Sequence, residues 1–419
     1  MKRAVLVICD GHRADLVTPE LTPNIWRLAQ AGRRFTSHAS VFPSVTRVSS
    51  ASIATGCRPA RHGLHGNTMA LDEGDGLVVR DVGNPDFRGR MRRATGATLR
   101  VPTLAERLAK RGGQIVMSNV SPGAAYFQDP DGHGHVYHRD GSYGPGERAV
   151  ADPMVVTHDA AGDRVMAERF CSDVLRRRRP VMSVLWLCEP DHTMHASELG
   201  SSEHRRVVAA ADQCVGMVAD TVASLAAEGD DVLLLVGSDH GHETVGTTVR
   251  PDALLVQAGL KRDLASTDVV VACQDFSGLV YCAAGTGDRA AQIADFLARQ
   301  AWIGEVIAGA ELGRIGMAPD HGLALAFTLR NGAATNSFGV PGTSDMAAAS
   351  STTKVKTGLG SHGGLGSWEQ RPFLIASGKG VAAGTVHAGS TSIVDIAPTI
   401  LRHLGIAVEG MDGRPLPLN

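Results

Sequence analysis

Long apolar runs are missing from this sequence of 419 residues. No stretch reaches eighteen consecutive apolar residues, so no membrane-spanning helix is expected. The opening residues, MKRAVLVICD, hold only six apolar side chains before Asp10 interrupts them, and such a short run is not typical of a signal peptide. Both absences favour a cytoplasmic protein without a membrane partner.

Excess charge of one sign and paired cysteines are missing as well. The formal net charge is −2, which argues against a nucleic-acid-binding surface or a polybasic membrane patch. The seven cysteines are scattered, without C-x-x-C spacing, as is typical of reduced thiols in a cytoplasm. Apolar residues, in contrast, make up 43% of the chain. They are enough for a large core, and we expect one domain over residues 1–419.

Compact apolar runs alternate with amphipathic stretches along the chain. The runs are bounded by Gly, Pro or Asp, as expected of strands that are buried on both faces. This alternation predicts an α/β fold with a mainly parallel central sheet flanked by helices. The predicted strands are residues 4–9, 181–187, 232–236 and 373–376, and the predicted helices are residues 23–31, 48–55, 103–111, 203–227, 288–298 and 393–404.

Two regions depart from the alternation. Residues 69–150 and 260–356 are rich in Gly, Asp, Arg and Ser and show weaker periodicity. We expect them to be inserted cap regions beside the sheet that contribute to substrate choice.

Residues that commonly bind metals follow three of the predicted strands. Asp10 comes directly after the first strand, Asp191 follows the second through a short Cys-Glu-Pro link, and Asp239 and His240 follow the third. Ligands of open α/β sheets bind outside the carboxyl ends of the strands. These side chains are therefore expected to meet at one edge of the sheet.

Two histidines extend this set. His195 stands four residues after Asp191, on the same side of a helical turn, and His362 lies in the loop G-S-H-G-G. Taken singly, such residues are usually helix caps, solvated helix faces or exposed loop positions. Together, in the context of the strands, they favour a catalytic site for Zn²⁺ or a similar divalent ion, because oxygen and imidazole donors occur without thiolates.

Residues 42–68, FPSVTRVSSASIATGCRPARHGLHGNT, contain two rival nucleophiles. Cys57 opens a C-x-P-x-R sequence, which is the form that sulfatases convert to formylglycine. Thr46 lies eleven residues earlier in a Ser/Thr-rich helical pattern, where it would be a nucleophile or an ordinary helix N-cap.

Several motifs together resemble the alkaline phosphatase superfamily. Within it, the chain is most similar to the branch of nucleotide pyrophosphatase/phosphodiesterases and phosphonoacetate hydrolase. The motifs extend from Asp10 to Leu404, so the resemblance covers nearly the whole chain. They are D-G-H-R-A-D, residues 22–67, D-H-T-M-H, S-D-H-G, S-H-G-G and the tail T-S-I-V-D-I-A-P-T-I-L-R-H-L.

The resemblance assigns the nucleophile. In sulfatases the modified Cys begins a helix that ends in a Thr-Gly pair nine residues later. Here that pair is Thr55-Gly56, and nine residues before it stands Thr46. Cys57 comes after the pair, so its C-x-P-x-R match is coincidental.

The resemblance also implies two divalent ions, Zn²⁺ or alternatively Mn²⁺, and a covalent intermediate on the nucleophile. Asn67 matches a family position whose amide donates to a phosphoryl oxygen. The first ion would be held by four residues and the second by three: Asp10, Thr46, Asp239 and His240, and Asp191, His195 and His362.

Three functions follow as expectations. Thr46 and Asn67 favour a phosphodiesterase or nucleotide pyrophosphatase that acts on a small phosphorus ester, nucleotide or phosphonate. The first alternative is a phosphonoacetate hydrolase, which cleaves a carbon–phosphorus bond and whose carboxylate-binding lysines have no assigned counterpart here. The second alternative is a catalytically silent metal-binding module, which the complete set of ligands and the nucleophile disfavour.

Four further residues have open roles. Arg47 is expected to point into solvent, or alternatively to bind a substrate oxygen. His242 would support the metal centre from outside it, or be a bystander. Lys354 and Lys356 would meet an anionic substrate, although lysines in a Ser/Thr-rich loop are usually solvated.

Overall fold

The alternating apolar runs form the middle of a ten-stranded sheet. The computed structural model describes residues 1–353 and 356–419. The strands in these residues are β1 (Lys2–Cys9), β2 (Arg33–Ala39), β3 (Thr68–Asp72), β4 (Leu77–Asp81), β5 (Gln114–Ser118), β6 (His135–Tyr137), β7 (Tyr143–Gly144), β8 (Arg148–Ala149), β9 (Met182–Leu187), β10 (Asp231–Gly237), β11 (Glu243–Val249), β12 (Val269–Cys273), β13 (Ser277–Cys282), β14 (Ile303–Ala308), β15 (Leu323–Leu329), β16 (Asn331–Thr335), β17 (Pro341–Ala347), β18 (Gly360–Ser361), β19 (Leu374–Ser377) and β20 (Thr385–Ser392).

Helices connect and cover these strands. A π-helix, Phe170–Arg178, continues α7, and short 3₁₀ turns occur at Ala14–Leu16, Gly309–Ile315 and Ile393–Asp395. The α-helices are α1 (Pro23–Ala31), α2 (Thr46–Thr55), α3 (Pro59–His62), α4 (Phe87–Thr95), α5 (Leu104–Leu108), α6 (Pro122–Tyr126), α7 (Ala160–Arg169), α8 (Asp191–Met194), α9 (Ser202–Ala227), α10 (Pro251–Gln257), α11 (Arg289–Ala298) and α12 (Ile396–Leu404).

The central sheet has the strand order β20-β2-β19-β10-β1-β9-β5-β6-β7-β8. The strands from β10 to β6 run parallel to one another, whereas β19 is antiparallel to both of its neighbours. The predicted α/β fold with a mainly parallel sheet is therefore confirmed.

Each face of the sheet carries its own apolar core. On one face, Leu6 and Ile8 of β1 belong to the core that also includes α2 and α12. On the other face, Val5 and Val7 belong to the core with α1, α7 and α9. Side chains that alternate along a strand point to opposite faces, so a strand covered on both sides reads as a continuous apolar run.

The prediction that residues 69–150 lie beside the sheet is wrong for their second half. The hairpin β3–β4 does form a separate two-stranded sheet, but β5 to β8 extend the central one. β5 is five residues long and β6 is three, so these strands are too short for a clear periodic pattern. Their place in the sheet depends on pairing with β9, which the local sequence does not encode.

Residues 269–329 build a second, antiparallel sheet in the order β12-β13-β15-β14. α10 and α11 contribute to its separate core. That this region and the β3–β4 hairpin determine substrate choice stays a prediction.

One helix, α9, is long and apolar enough to cross a membrane by length and composition, yet 56% of its most apolar window is buried inside the fold. It packs against α1, α7 and β10. Such burial is typical of a helix in the core of a folded protein.

Candidate metal centre

The three predicted strand ends do meet at one edge of the sheet. β9, β1 and β10 are adjacent and parallel, so Asp10, Asp191 and Asp239 follow neighbouring strand ends. Backbone contacts join their loops: the Asp191 amide donates to the Asp10 carbonyl at 3.1 Å, and the Gly11 amide donates to Asp239 Oδ1 at 3.1 Å. The sheet itself therefore fixes the spacing of the three carboxylates.

One group of donors, which we call the first cluster, consists of Asp10, Asp239 and His240, and all three are buried. His240 Nε2 lies 3.6 Å from Asp10 Oδ1 and 3.2 Å from Asp239 Oδ2. Thr46 Oγ1 lies 3.2 Å from the same nitrogen. The indole of Trp186 donates to the other Asp10 oxygen at 2.9 Å and so orients that carboxylate. The hydroxyl of Thr46 thus lies beside the first cluster.

The second cluster consists of Asp191, His195, His242 and His362. Asp191 Oδ1 lies 3.0 Å from Nε2 of His242, 3.3 Å from that of His362 and 3.4 Å from that of His195. His242, expected to support the centre from outside or to be a bystander, approaches Asp191 more closely than the other two histidines do and so becomes a further candidate ligand. The clusters adjoin, since the rings of His240 and His362 stack with centroids 3.7 Å apart.

Gly11 explains why His242 reaches this position. Its backbone has φ +66°, and a Cβ there would lie 2.3 Å from Cε1 of the His242 ring. Only glycine allows both the left-handed backbone and this close approach. The Gly11 carbonyl in turn accepts a hydrogen bond from His242 Nδ1 at 3.1 Å.

Hydrogen bonding fixes the tautomer of three histidines. A backbone carbonyl only accepts, so each Nδ1 in such a contact carries the proton, and a neutral ring then has a bare Nε2. These Nε2 atoms face carboxylate oxygens. The Nδ1 contacts are His240 with Gly241 O at 3.0 Å, His242 with Gly11 O at 3.1 Å and His362 with Ser44 O at 2.7 Å.

Three of the carboxylate oxygens that face these Nε2 atoms are buried and have no hydrogen-bond partner in the described residues. They are Asp10 Oδ1, Asp191 Oδ1 and Asp239 Oδ2. Lone pairs that face each other repel unless a proton or a cation lies between them. Carboxylate oxygens and imidazole nitrogens are donors that Zn²⁺ and Mn²⁺ accept. The residues present therefore fit divalent metal ions at both clusters.

The carboxylates of the two clusters differ in their pKa. Burial, with the nearby Asp239 and Asp191, raises the pKa of Asp10 well above its usual value, and burial with the charge of Asp191 raises the pKa of Asp239 to about 7. Burial would also raise the pKa of Asp191, but His195, His242 and His362 hold it well below its usual value. The protein neighbours of the first cluster therefore do not compensate negative charge on Asp10 and Asp239.

The two rival nucleophiles lie at opposite ends of one helix. Thr46 is the first residue of α2 and lines the cavity with Asp10, Asp191 and His362. Cys57 follows the C-terminal end of the helix, where its thiol donates to the Gly410 carbonyl at 3.4 Å. Ten helical residues span about 15 Å, so Cys57 does not reach the cavity.

Asn67 and Arg47 form part of the cavity wall. Asn67 Oδ1 accepts from the Arg47 backbone amide at 3.2 Å, which leaves the amide nitrogen of Asn67 free to donate. Arg47 does not point into solvent, contrary to expectation: its guanidinium donates to Asp81 at 2.5 Å and to the Asn67 carbonyl at 2.7 Å, and its Nε donates to Ser121 at 3.2 Å. Asp81, at the end of the β3–β4 hairpin, binds the guanidinium of Arg47 and keeps it out of solvent.

The structure describes one of the two lysines. Lys356 Nζ donates to Asp275 Oδ2 at 2.7 Å and is 17% exposed, so it is neither solvated nor free to meet a substrate. Lys354 lies outside the described residues.

Glu369 was not identified from the sequence as a site residue. Its buried carboxylate accepts from the backbone amides of Gly363, Gly364 and Gly366 and from the Ser44 hydroxyl, at 2.5 to 2.9 Å. It therefore ties the loop of His362 to the segment that precedes Thr46. No sequence spacing indicates such a link, because three of the four partners are backbone amides and the fourth, Ser44, is distant in sequence.

A second buried acid, Asp163 of α7, was also not identified from the sequence. It accepts from the amides of Cys188 and Glu189 at 3.1 and 3.0 Å and from the Asn119 side chain at 3.0 Å. Asp163 thereby fixes the loop that carries Asp191.

Comparison with known proteins shows the family of the chain. Residues 4–295 match the family described as type I phosphodiesterase / nucleotide pyrophosphatase. No relative was found among curated protein sequences.

Solved structures share the fold. Murine ectonucleotide pyrophosphatase / phosphodiesterase 5 is 17% identical with a TM-score of 0.68, covering 98% of this chain and 97% of that one. An inactive variant of the same murine protein in complex with AMP is 16% identical with a TM-score of 0.68, covering 99% and 97%. Phosphonoacetate hydrolase from Sinorhizobium meliloti 1021, in complex with phosphonoformate, is 18% identical with a TM-score of 0.69, covering 97% and 96%.

Carboxylates and imidazoles that lie together beyond the strand ends of a mainly parallel α/β sheet are typical of a metal-dependent hydrolase. The family match extends over more than half of the sequence. The chain belongs to the type I phosphodiesterase / nucleotide pyrophosphatase family, and it is a hydrolase that acts on phosphoesters. The predicted resemblance to this branch of the alkaline phosphatase superfamily is confirmed.

Proposed function

We propose that the chain hydrolyses phosphodiesters at a two-metal centre through a covalent intermediate on Thr46. The observation that carries the proposal is the 3.2 Å contact between Thr46 Oγ1 and His240 Nε2, which places the hydroxyl among the donors of the first cluster. Asp10, Asp239 and His240 would hold one divalent ion with Thr46, and the second cluster would hold the other. Such ions favour the alkoxide form of an alcohol and neutralise charge on phosphoryl oxygens.

The reaction takes two displacements. The Thr46 hydroxyl loses its proton, Oγ1 bonds to phosphorus, the bond from phosphorus to the leaving oxygen breaks, and that oxygen takes up a proton and leaves as an alcohol. Water then cleaves the phosphothreonine ester, releases the phosphomonoester and restores the hydroxyl. The free amide nitrogen of Asn67 donates to a non-bridging oxygen, and the N-terminal end of α2 favours the anion.

The donor set supports zinc, with manganese as the alternative. All candidate ligands are oxygen or imidazole nitrogen. Cys188 also lines the cavity, but burial raises the pKa of its thiol. A protonated thiol is a poor metal ligand.

Phosphonoacetate hydrolysis is the weaker proposal. Its substrate carries a carboxylate in addition to the phosphonate and would need a cation for it. Among the described residues that line the cavity, the one permanently charged cation is Arg47, and Asp81 neutralises it. A phosphodiester needs no second cation.

The test is kcat/KM of the zinc-loaded protein on a matched panel: bis-p-nitrophenyl phosphate, p-nitrophenyl phosphate, a phosphonate monoester, phosphonoacetate and a sulfate ester. Specificity constants compare the binding of transition states, which the cavity controls. We expect the diester to give the highest value. A maximum for phosphonoacetate would move the function to carbon–phosphorus cleavage, and a maximum for the sulfate ester would contradict the proposal.

A further inference from the structure

Two histidines outside both clusters stand together on the cavity wall. His158 precedes α7, and His192 lies in the first turn of α8. Their ring centroids are 4.0 Å apart, and the rings are tilted by 38°. Both line the cavity of about 230 Å³ that contains Thr46 and Asn67.

The position of the two histidines indicates which half of the substrate they would contact. Thr46 lies at the first cluster, and in a two-metal site the two ions stabilise the attacking and the leaving oxygen respectively. The leaving oxygen is therefore expected at the second cluster. His192 directly follows Asp191 of that cluster, so the group attached to the leaving oxygen would meet His192 and His158. This step rests on the proposed function.

The ring nitrogens of His158 and His192 can form hydrogen bonds with a ligand. Within residues 1–353 and 356–419, no side-chain hydrogen bond engages the ring nitrogens of His158 or His192. Burial, with the positive charge of Arg139 nearby, lowers the pKa of His158 to about 4. A neutral imidazole presents one N–H donor and one acceptor nitrogen.

Uncommitted positive charge is scarce on this side of the cavity. Arg47 pairs with Asp81. Arg139 is not among the residues that line the cavity, and its Nη1 donates to the carbonyls of Asn119 and Val120. A leaving group that carried a second anion would thus find no free cation among the described residues of the wall.

We propose that His158 and His192 form a subsite for an uncharged, hydrogen-bonding leaving group, such as a nucleoside or another polyhydroxylated alcohol. The enzyme then prefers phosphodiesters that release a neutral alcohol over pyrophosphates that release a phosphate anion. Hydrogen-bonding groups that line a cavity select ligands that match them, because a ligand that displaces water from these groups without replacing its hydrogen bonds binds less well.

The experiment compares two substrates that deliver the same nucleotide to Thr46: a dinucleoside monophosphate, which releases a nucleoside, and a dinucleoside pyrophosphate, which releases a nucleotide. The ratio of their kcat/KM values is measured for the zinc-loaded wild type and for His158→Lys, which adds a cation to the wall. We expect a wild-type ratio above about 10 and a fall of about tenfold in the variant.

Two further variants make the result decisive. His192→Lys adds the cation at an exposed position and covers the case in which His158→Lys does not fold. His387→Lys is the matched control, because His387 is half-buried like His158 but lies on the edge strand β20, and it should leave the ratio unchanged. Bound zinc is measured in every variant.

The outcomes separate the two proposals. A wild-type ratio below one, or ratios that neither lysine changes, would overturn the subsite while diester hydrolysis itself stands. Failure of the zinc-loaded wild type to hydrolyse either substrate would overturn the proposed function and the subsite with it.

Discussion

The two donor clusters differ in how the fold holds them. The first cluster stands at the ends of β1 and β10 and is dry, with Asp10, Asp239 and His240 each no more than 1% exposed. The second cluster is drawn from a short helix and two loops, and the side chains of Asp191 and His195 are 18% and 26% exposed. The first has two carboxylates for one imidazole, and the second has one carboxylate for three.

The difference indicates that the two clusters have different roles. Two carboxylates in a dry site repel each other, so a cation stabilises the first cluster strongly. In the second cluster the imidazoles already compensate Asp191, and the exposed side leaves room for substrate. We therefore expect the first cluster to hold its ion more tightly and the second to face the leaving group.

The largest expected effect comes from Thr46→Ala. Removal of the nucleophile should lower kcat/KM on a diester by at least about 10³-fold, while bound zinc largely persists because the carboxylates and imidazoles remain. Steady-state kinetics and metal analysis measure the two quantities on the same sample.

Cys57→Ala is the matched control, just beyond the C-terminal end of α2. It should leave diester hydrolysis nearly intact, because the thiol lies at the far end of that helix. Unchanged activity in the Thr46 variant, or a collapse of activity in the Cys57 variant, would contradict the assignment.

The next effect tests the charge difference between the clusters. Asp239→Asn should lower kcat/KM by about 10²-fold or more through loss of a ligand, yet the metal-free variant should unfold no more easily than metal-free wild type at pH 8. Metal-free Asp191→Asn should instead lose about 1–3 kcal/mol of unfolding free energy, because it removes an ionised carboxylate whose pKa the surrounding histidines hold well below its usual value. Chemical denaturation with chelator present measures both.

The pH dependence has a defined sign. The pKa of Asp239 is raised to about 7, so between pH 4 and 7 this group binds more protons in the metal-free folded state than in the unfolded state, and its contribution to stability falls as the pH rises. Asp239→Asn should flatten that fall. An equally steep fall in this variant would show that another group causes it.

A smaller effect is expected from His242→Asn. Loss of one imidazole should weaken zinc binding at the second cluster by about 10- to 100-fold and leave the first cluster unaffected. Competition with a chromogenic chelator measures both affinities. Two unchanged affinities would place His242 outside the ligand set, despite its 3.0 Å contact with Asp191.

The smallest effect is expected from Glu369→Gln. The amide replaces one acceptor oxygen with a donor that faces backbone amides, so the loop of His362 should loosen and kcat should fall by about 3- to 10-fold. Glu203→Gln, at an exposed ion pair on α9, is the control and should change nothing. Equal kcat values in the two variants would remove Glu369 from the positioning of the site.

The first cluster was more predictable from the sequence than the second. Asp10 directly follows β1 and Asp239 stands two residues after β10, so a local pattern and the strand-end rule place them. His242 was missed as a candidate ligand because its position depends on contact with Gly11, which is distant in sequence. Arg47 was misjudged for the same kind of reason, since Asp81 on a separate hairpin turns it inward.

Stepwise addition of zinc to the metal-free protein tests the central claim most directly. Bound zinc and diester hydrolysis are measured at each addition. We expect two zinc ions to bind per chain, with little activity after the first equivalent and full activity only after the second. Full activity at a single bound ion would contradict the two-metal centre.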